Sequence, residues 1–396
     1  MEKDTKNILL VHNHYGDGVR GGEEWLVRRQ AALLRAHGHT VTEYYRKNSE
    51  FSTKSFLKQL QHLPDVIWSD RAFDEIQRVI RLHKPDIMHV HNYWLILSPS
   101  IFRAAKEMGV ATVHNVNNYG LTACINGMFL RDGKPCEECV QFSSLRGVLH
   151  ACYGQSHARS LLRYLMIKKS YQENVWKKDV DAFFTLTAFG KKKIVENGIP
   201  EKKVHVINDF VQNPFPKDQF QIPAGYGAIA VSRLSPEKGL FTLLKAWRNI
   251  DYPLTIVGDG PLRQALESMA PPNVKFTGFI DDSALRRLWL DSAFTVFPSE
   301  CYEGFGSVIV ESMSYGRLVV ATDLGSRPEI IQHGYNGLLY KPLDPASLTE
   351  TIQKLIRDGS SIQRMGKNAR ITYLKQFDAE VIYKKLIKVY QHILSH

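Results

Sequence analysis

Hydrophobic and polar positions alternate along this chain in a way that predicts strands and helices in turn. Residues 7–12 form a short apolar run typical of a buried strand. In the following segment, 23–41, apolar residues recur at helical spacing, and Gly38 is placed to end that helix before the next strand. The same strand–helix alternation recurs at 74–92, 101–115 and 181–209. Alternating units of this kind predict a parallel sheet covered by helices.

The segment 210–227 interrupts the pattern, because it combines three prolines, two glycines and mixed polarity. Beyond it the alternation restarts. We therefore predict two doubly wound α/β domains, residues 1–213 and 214–378, followed by a terminal helix at 379–396. Ligands of such sheets bind beyond the carboxyl ends of the strands, so the loops at those ends are the places to search for a site.

Length and composition agree with this division. A chain of 396 residues suits two hydrophobic cores, and 44% hydrophobic with 23% charged residues is an ordinary globular balance. The N-terminal apolar run is too short for a secretory signal, and no run of about 18 apolar residues occurs. These features predict a cytoplasmic protein, and five cysteines in that setting argue against disulfides.

A formal net charge of +11 calls for an anionic partner or for a solvated basic face. Much of the charge lies between residues 155 and 203. Nucleic acid, an anionic membrane surface and a phosphorylated substrate would each fit it. The basic residues of this region are Arg159, Arg163, Lys168, Lys169, Lys177, Lys178, Lys191, Lys192, Lys193, Lys202 and Lys203.

The glycine-rich turn after the first strand admits two interpretations. Gly16, Gly18 and Gly21 match G-x-G-x-x-G, and Glu43 has the spacing of a ribose contact, which would indicate a nicotinamide-dependent oxidoreductase. The match is imperfect, because three residues separate the strand from the first glycine. We favour the simpler interpretation, in which Gly21 and Gly22 let the backbone approach a phosphate at a helix N-terminus.

Two cations follow the first strand of the second domain. Arg233 stands at the end of that strand and Lys238 in the loop after it. A diphosphate leaving group gains negative charge as its bond breaks, and two fixed cations would stabilise that charge. The alternative is a pair of ordinary surface cations.

The stretch CYEGFGSVIVESMSYG, residues 301–316, places a glycine loop between a strand and a helix. We expect Ser307 to cap the helix and Gly316 to end it. Glu303 then stands at the mouth of the loop and Glu311 one turn into the helix, where carboxylates suit sugar hydroxyls. The loop would turn backbone N–H groups toward oxygens of a sugar or phosphate, at Gly304, Phe305 and Gly306.

Together these segments closely resemble the retaining GT-B glycosyltransferases of family 4. The resemblance rests on VSRLSPEKG, VGDGPL, FTGFIDD and the long segment 297–340, and on GGEEWLV, PDIMHVHN and ATVHNVNNYGLTAC in the first half. It covers nearly the whole chain. It implies the GT-B fold, two facing Rossmann-like domains with a cleft between them, and a nucleotide-sugar donor held mainly by the C-terminal domain. It also implies that the terminal helix crosses back to the N-terminal, acceptor-side domain.

The resemblance assigns roles around the donor phosphates and sugar. It implies that Arg233 and Lys238 bind the phosphates, with Gly22 approaching them from the other domain. Glu303 and the backbone of residues 304–306 would hold the sugar hydroxyls.

Further roles follow for the nucleoside and the reacting sugar. The resemblance implies that Glu311 binds the ribose hydroxyls and that backbone near Phe279 and Ile280 meets the base. His114 matches a histidine that contacts the transferring sugar, and the alternative is a packed strand-end histidine. The next position is often Asp in the family and is Asn115 here, so no role is assigned to it.

The mechanism implied by the resemblance is a front-face transfer that needs no catalytic metal. Glu303 has no evident partner carboxylate for a double displacement. Asp179 and Asp181 mimic the metal-binding D-x-D of another glycosyltransferase fold, but they precede a strand and are discounted. Arg233 and Lys238 would supply the positive charge instead.

Four cysteines cluster in an insertion of the N-terminal domain, residues 120–155. They are Cys124, Cys136, Cys139 and Cys152. Four thiolates would suit a structural zinc, although the spacing is irregular compared with known fingers. Unpaired thiols and a redox pair are the alternatives, and Cys301 is expected to be a packed residue.

These observations predict a retaining hexosyltransferase that uses a UDP-, GDP- or ADP-sugar and a glycan or polyprenyl-linked acceptor, in cell-surface polysaccharide or glycolipid synthesis. We expect a cytoplasmic protein whose basic region, 155–203, lies peripherally against the inner face of the membrane, with no nucleic-acid partner. A basic, zinc-bearing nucleic-acid or interaction protein is the alternative from another class, and it predicts salt-dependent oligonucleotide binding. An oxidoreductase would leave the loops of the second domain unexplained.

Overall fold

A computed structural model describes residues 5–15, 22–52, 62–215 and 225–395. The chain divides into two compact units. The first comprises residues 1–129, 136–208 and 383–396, and the second comprises residues 130–135 and 209–382.

The first unit contains a six-stranded parallel sheet in the order β2-β1-β3-β4-β7-β8. Every residue of β3 is buried, as expected for a strand covered by helices on both faces. The strand order reverses at β1, which lies between β2 and β3. The strands are β1 Asn7–His14, β2 Thr40–Lys47, β3 Ile87–Asn92, β4 Ala111–Val116, β7 Ala182–Thr185 and β8 Val204–Val206.

The helices of this unit begin and end at residues suited to those positions. The fourth, for example, is capped by Ser69, whose hydroxyl accepts from the backbone N–H of Ala72, and it ends at Lys84 in a left-handed conformation. The helices are α1 Gly22–Ala36, α2 Ser49–Ser52, α3 Leu63–Ile67, α4 Asp70–His83, α5 Ser100–Glu107, α6 Glu138–Gln141, α7 Leu145–Leu149, α8 His157–Gln172, α9 Val175–Lys178 and α10 Ala188–Glu196, with a 3₁₀ turn at Glu201–Lys203.

The second unit has its own six-stranded parallel sheet, ordered β11-β10-β9-β12-β13-β14. Numbered from its first strand, this is the order 3-2-1-4-5-6 of a doubly wound nucleotide-binding sheet, and it reverses between β9 and β12. The strands are β9 Ala228–Val231, β10 Leu254–Val257, β11 Val274–Gly278, β12 Phe294–Phe297, β13 Leu318–Thr322 and β14 Gly337–Tyr340. A short antiparallel pair, β5 Leu130–Arg131 and β6 Lys134–Pro135, also groups with this unit.

Seven helices and one 3₁₀ turn lie within the described part of this unit. They are the turn Pro236–Lys238, α11 Leu240–Trp247, α12 Arg263–Met269, α13 Asp282–Asp291, α14 Ser307–Ser314, α15 Arg327–Ile330, α16 Pro345–Arg357 and α17 Gly359–Gln376. The last helix, α18 Ala379–Leu394, begins here and continues in the first unit.

Each unit has a separate hydrophobic core, so the prediction of two doubly wound α/β domains is confirmed. The terminal helix belongs to the first unit from Tyr383 onward. There the Tyr383 ring stacks on His37 at 3.5 Å, and the Tyr390 hydroxyl lies 2.6 Å from the Nδ1 of His89. The predicted linker, 210–227, lies partly outside the described residues.

One local expectation is wrong. Ser307 does not cap α14, because the cap position is taken by Gly306 at φ +91°. The Ser307 hydroxyl instead hydrogen-bonds to the carboxylate of Asp209. Gly316, at φ +69°, follows the helix end as expected.

Among the helices that the structure describes, none combines the length and the apolar character needed to cross a membrane.

Candidate functional site

The predicted donor residues gather at the carboxyl edge of the second sheet, where its strand order reverses. Arg233 follows β9 and Glu303 follows β12, and these two strands are neighbours in the sheet. Lys238 ends the 3₁₀ turn after β9. Ligands of doubly wound sheets bind at such a reversal, so the fold brings these three side chains to the expected place.

Lys238 and Glu303 form an ion pair. The Nζ of Lys238 lies 2.7 Å from Oε1 of Glu303, and the Ser299 hydroxyl donates to the same oxygen at 2.6 Å. Both side chains are largely buried, with 22% of Lys238 and 16% of Glu303 exposed. The sequence placed these residues in strand-end loops of one domain and did not predict that they form an ion pair.

Both members of the pair are charged at neutral pH. Burial alone would raise the pKa of Glu303, but the charge of Lys238 and the hydrogen bonds from Lys238 and Ser299 outweigh it and lower the pKa to about 2. Burial would lower the pKa of Lys238, and the Glu303 carboxylate raises it instead. A carboxylate held this strongly ionised is a good hydrogen-bond acceptor and a weak base.

Arg233 is more open. Its guanidinium is anchored at 2.8 Å to the Glu237 carboxylate and at 3.2 Å to the Ser235 hydroxyl, while 60% of the side chain remains exposed. Glu237 itself is buried, and hydrogen bonds from Ser235 and Arg233 outweigh its burial and lower its pKa. Arg233 is therefore oriented by Glu237 and Ser235, while much of its side chain remains accessible to a ligand.

The two loops approach each other closely because a glycine stands between them. Gly239 adopts φ +64°, and a Cβ at this position would lie 2.0 Å from the carbonyl oxygen of Pro298. The backbone N–H of Glu300 also donates to the carbonyl of Glu237 at 2.9 Å. These contacts fix the loop of Lys238 against the loop of Glu303.

Arg327 supports the same loop from within the protein. It is fully buried, and its guanidinium donates to the backbone carbonyls of Ser299 and Cys301. The Ser326 hydroxyl donates to the carbonyl of Glu303 at 3.2 Å. The sequence carried no signal that separated Arg327 from a surface arginine, because the carbonyls of Ser299 and Cys301 that it binds are more than twenty residues away.

The remaining predicted donor residues lie on the same sheet edge or on the helix that begins there. Glu311 lies on α14, and Phe279 and Ile280 follow β11, with Phe279 exposed. The Phe305 ring is buried against Phe377, with ring centroids 5.7 Å apart. Gly304 and Gly306 flank Phe305, and that buried ring anchors the backbone whose N–H groups are predicted to hold sugar oxygens.

His114 lies within β4, with 5% of its surface exposed. Its Nδ1 lies 3.0 Å from the carbonyl of Val90, and its ring packs among those of Tyr93, Phe102 and Trp176. Burial lowers its pKa to about 4. This environment is that of a packed histidine, and the predicted contact with a transferring sugar stays a prediction.

Gly22 begins α1, and Gly21 lies outside the described residues. The neighbouring Glu23, which sequence reasoning missed, accepts from the Tyr15 hydroxyl at 2.6 Å and from the Asn117 amide at 2.9 Å. Burial raises the pKa of Glu23 to about 7 despite these hydrogen bonds.

The structural zinc on Cys124, Cys136, Cys139 and Cys152 stays a prediction. None of the five cysteines forms a disulfide. Within the described residues, the clustered four do not include three thiols close enough to share one ion. Burial raises the pKa of the Cys124 thiol to about 12, and that thiol donates to the side-chain oxygen of Asn126 at 3.1 Å. Cys301 is buried, as expected for a packed residue.

Part of the basic region is used internally. Lys193 pairs with Glu137 at 2.7 Å, and the ammonium of Lys203 donates to the carbonyls of Lys177 and Val180. The D-x-D mimic is likewise used in ion pairs, of Asp179 with Arg103 and of Asp181 with Lys106, each at 2.7 Å.

Both halves of the chain match known protein families. A model of the glycosyl transferases group 1 matches residues 215–372, and a model of glycosyltransferase family 4 matches residues 20–212. D-rhamnosyltransferase WbpZ of Pseudomonas aeruginosa is 35% identical over 148 residues, which are 36% of this chain and 39% of that protein. The chain spans less than half the length of the first curated relatives that it matches.

Two solved structures share the fold across almost the whole chain. Sucrose-phosphate synthase from Thermosynechococcus elongatus superposes with a TM-score of 0.72 at 16% identity, covering 98% of this chain and 100% of that one. HepE of Anabaena, solved with UDP-glucose, superposes with a TM-score of 0.66 at 18% identity, covering 98% and 100%. With the two family models together spanning nearly all of its residues, the chain belongs to the group 1 glycosyltransferases of GT-B fold.

Proposed function

We propose that this protein is a retaining hexosyltransferase that moves a sugar from a nucleotide-sugar donor to a glycan or polyprenyl-linked acceptor. The observation that carries the proposal is the Lys238–Glu303 pair beside the open Arg233, at the reversal point of a doubly wound sheet. This arrangement offers positive charge for a diphosphate and a fixed anionic acceptor for sugar hydroxyls at one place.

In this proposal the donor lies along the carboxyl edge of the second sheet. Arg233 and Lys238 bind the diphosphate, while Glu303 and the backbone of residues 304–306 hold the sugar. Glu311 binds the ribose, and the backbone at 279–280 meets the base. The structure of HepE with UDP-glucose supports a nucleotide-sugar of this kind, and UDP-, GDP- and ADP-sugars are the donors to test.

The reaction breaks the bond between the anomeric carbon and the diphosphate oxygen and forms a bond from that carbon to the acceptor oxygen. Arg233 and Lys238 stabilise the charge that develops on the leaving diphosphate. Glu303 is a poor candidate for the base, because its pKa is about 2. The departing phosphate oxygen then accepts the proton of the acceptor hydroxyl on the same face of the sugar, which retains the configuration.

The proposed reaction uses no metal ion. The two side-chain cations carry the charge-stabilising role that a divalent ion plays in other phosphate chemistry. Turnover is therefore expected to persist in the presence of a chelator.

For the acceptor, we propose a lipid-linked glycan presented at an anionic membrane surface. Phe142 and Leu149 are 70% and 69% exposed, and Arg146 lies between them in sequence, with its guanidinium carbon 5.6 Å from the centre of the Phe142 ring. Exposed apolar side chains beside cations suit the interface of a bilayer with anionic lipids. The region 155–203 adds further basic residues.

Sedimentation with vesicles tests this surface. The full chain is expected to pellet with vesicles containing phosphatidylglycerol and to remain in solution with phosphatidylcholine alone. A Phe142→Ser, Leu149→Ser double variant should lose the interaction, and equal binding to both lipids would contradict the proposal.

The donor experiment measures thermal stabilisation of the full chain by UDP-, GDP- and ADP-sugars, because a ligand well above its dissociation constant raises the unfolding temperature. The stabilising donor is then used in turnover, and the anomeric configuration of the product is read by NMR. An inverted product would refute retention, and the absence of stabilisation by every donor would refute the site.

A matched control separates the donor site from charge in general. Lys354 pairs with Glu350 on α16, which is an exposed ion pair in the same unit. Lys354→Ala is expected to leave donor stabilisation unchanged, whereas Arg233→Ala with Lys238→Ala should abolish it.

A further inference from the structure

The carboxyl end of β1 carries a second cluster of chemical groups, outside the donor site. His12 and His14 are two residues apart on the strand, so their side chains leave it on the same face. Glu24 lies in the first turn of α1, which follows that strand. The strand order of the first sheet reverses here, so the cluster occupies the position at which open α/β sheets bind ligands.

The three side chains converge. The two imidazole rings have centroids 4.8 Å apart, and Nδ1 of His14 lies 3.2 Å from Oε1 of Glu24. One ligand atom from each residue lies within 4.8 Å of the other two. Within the part of the chain that the structure describes, no other set of three His, Cys, Asp or Glu side chains is so arranged.

The surroundings of His12 are the main evidence that this cluster binds a ligand. The His12 side chain is fully buried, and neither ring nitrogen has a hydrogen-bond partner among the described residues. Buried polar atoms are normally satisfied, so two orphaned nitrogens on one ring require an explanation.

We propose that His12, His14 and Glu24 bind one Zn²⁺ ion. Two imidazole nitrogens and one carboxylate oxygen are the ligand set of an open zinc site, in which a fourth position remains for water or a hydroxyl oxygen. This cluster lies in the first unit, whereas the Lys238–Glu303 pair lies in the second, and a zinc ion here would add a metal-binding property to the proposed function.

Packing alone explains the cluster less well. A hydrogen bond between His14 and Glu24 satisfies those two side chains without an ion. It leaves both nitrogens of His12 without a partner among the described residues, with the Tyr45 ring in a T-shaped arrangement at a centroid distance of 6.2 Å. An ion in reach of His12 pairs one of its nitrogens and uses the same His14 and Glu24 atoms.

The test begins with the full chain freed of metal by a chelator and titrated with Zn²⁺ in a calorimeter. We expect one ion per chain and an unfolding temperature that rises with zinc concentration. His14→Gln and Glu24→Gln should each weaken zinc binding about tenfold or more. Substitution of His12 is avoided as the primary test because its ring is packed in the core.

His62→Gln is the matched control, because His62 and Asp65 form a histidine–carboxylate pair of 2.9 Å in the same unit without a third ligand. This variant is expected to bind zinc like the parent. Circular dichroism and the unfolding temperature without metal establish that each variant is folded, and if His14→Gln fails to fold, Glu24→Gln alone decides.

Cobalt distinguishes this site from the cysteines. Co²⁺ bound by His12, His14 and Glu24 should lack the thiolate charge-transfer absorption that cysteine ligands produce. A Cys136→Ser, Cys139→Ser variant should still bind one ion. Absence of binding, binding unchanged in both His14→Gln and Glu24→Gln, or binding lost only in the cysteine variant would overturn the proposal.

Discussion

The two units place opposite kinds of chemistry at the same topological position. At the reversal point of the second sheet, Lys238 and Glu303 are charged and satisfy each other, and Arg233 is anchored by Glu237. At the reversal point of the first sheet, His12 is neutral, buried and unsatisfied among the described residues. One fold therefore presents either fixed charge or free lone pairs, depending on which side chains follow its strands.

The difference has a physical cause. A carboxylate remains ionised in a buried site only with a cation beside it. An imidazole can instead become neutral, and a neutral ring avoids the free-energy cost of removing a charge from water. The second site is thus suited to an anionic ligand with hydroxyl groups, and the first to an electron-pair acceptor.

The largest effect is expected from removal of both cations at the second site. Arg233→Ala with Lys238→Ala should lower kcat/KM for sugar transfer by about 100- to 1000-fold or more, because developing charge on the diphosphate loses its stabilisation. Steady-state kinetics with the stabilising donor measure it. Undiminished turnover in a folded double variant would remove the donor assignment.

The next effect concerns stability. Lys238→Ala leaves Glu303 largely buried without its cation and should lower the free energy of unfolding by about 2–3 kcal/mol, less than for a fully buried pair because both side chains are partly exposed. Urea unfolding monitored by fluorescence gives the value. The double variant Lys238→Met, Glu303→Leu should recover part of the loss, and no recovery would show that the pair is not the cause.

The two units should respond to acid in different pH ranges. Burial lowers the pKa of His89 to about 3 and of His114 to about 4, so below the unfolded value of 6.5 the unfolded chain binds more protons and the first unit loses stability as pH falls. Glu303 has a folded pKa of about 2 against 4.5, so its stabilisation is present above pH 4.5 and is lost between about 4.5 and 2.

Hydrogen exchange of peptides from each unit, measured from neutral pH down to the folded pKa of Glu303 at about 2, separates the two ranges. Each affected group contributes up to about 1.4 kcal/mol per pH unit. Protection in β3 and β4 should fall first, and protection around β12 should follow below about pH 4.5. Simultaneous loss in both units would show that they unfold cooperatively and that the local pKa shifts do not govern the order.

The smallest effects are expected from two glycine substitutions. Gly239→Ala adds a Cβ that would lie 2.0 Å from a backbone oxygen in a left-handed conformation, and it should cost about 1–3 kcal/mol of stability. Gly22→Ala meets nothing within 4 Å and should change stability by less than about 0.5 kcal/mol. Thermal unfolding measures both, and equal losses would contradict the close approach of the loops.

Gly22→Ala also tests a role that was inferred from resemblance. If backbone at Gly22 contacts the donor phosphates, the variant should lose turnover while its unfolding temperature stays unchanged. Unchanged turnover would remove Gly22 from the site.

The alternation of strands and helices could be predicted from the sequence, and so could the loops that carry Arg233, Lys238 and Glu303. Both follow from local patterns, since buried parallel strands are continuous apolar runs and strand-end loops carry ligands. The ion pair between Lys238 and Glu303 was not predictable, because 65 residues separate its members and periodicity gives a face of an element without its partner.

Other features of the structure were not predicted from the sequence, for related reasons. Ser307 was expected to cap α14, but its hydroxyl hydrogen-bonds to the carboxylate of Asp209, which is distant in sequence. Arg317 is buried and bonded to the carbonyls of Trp289 and Leu290, although arginine is normally an exposed residue. Zinc binding by the four clustered cysteines stays a prediction, because spacing along the chain does not fix the distances between sulfur atoms.

The contact between Lys238 and Glu303 affects which ligands this charged site selects. The lysine already has a counterion, so an incoming phosphate must compete with an internal anion before it gains anything. A molecule that offers a phosphate to the ammonium and hydroxyls to the displaced carboxylate compensates both groups, whereas inorganic phosphate or a bare nucleotide compensates one. The pair would thus act as a built-in competitor that discriminates an intact activated sugar from its spent nucleotide and favours departure of the product after transfer.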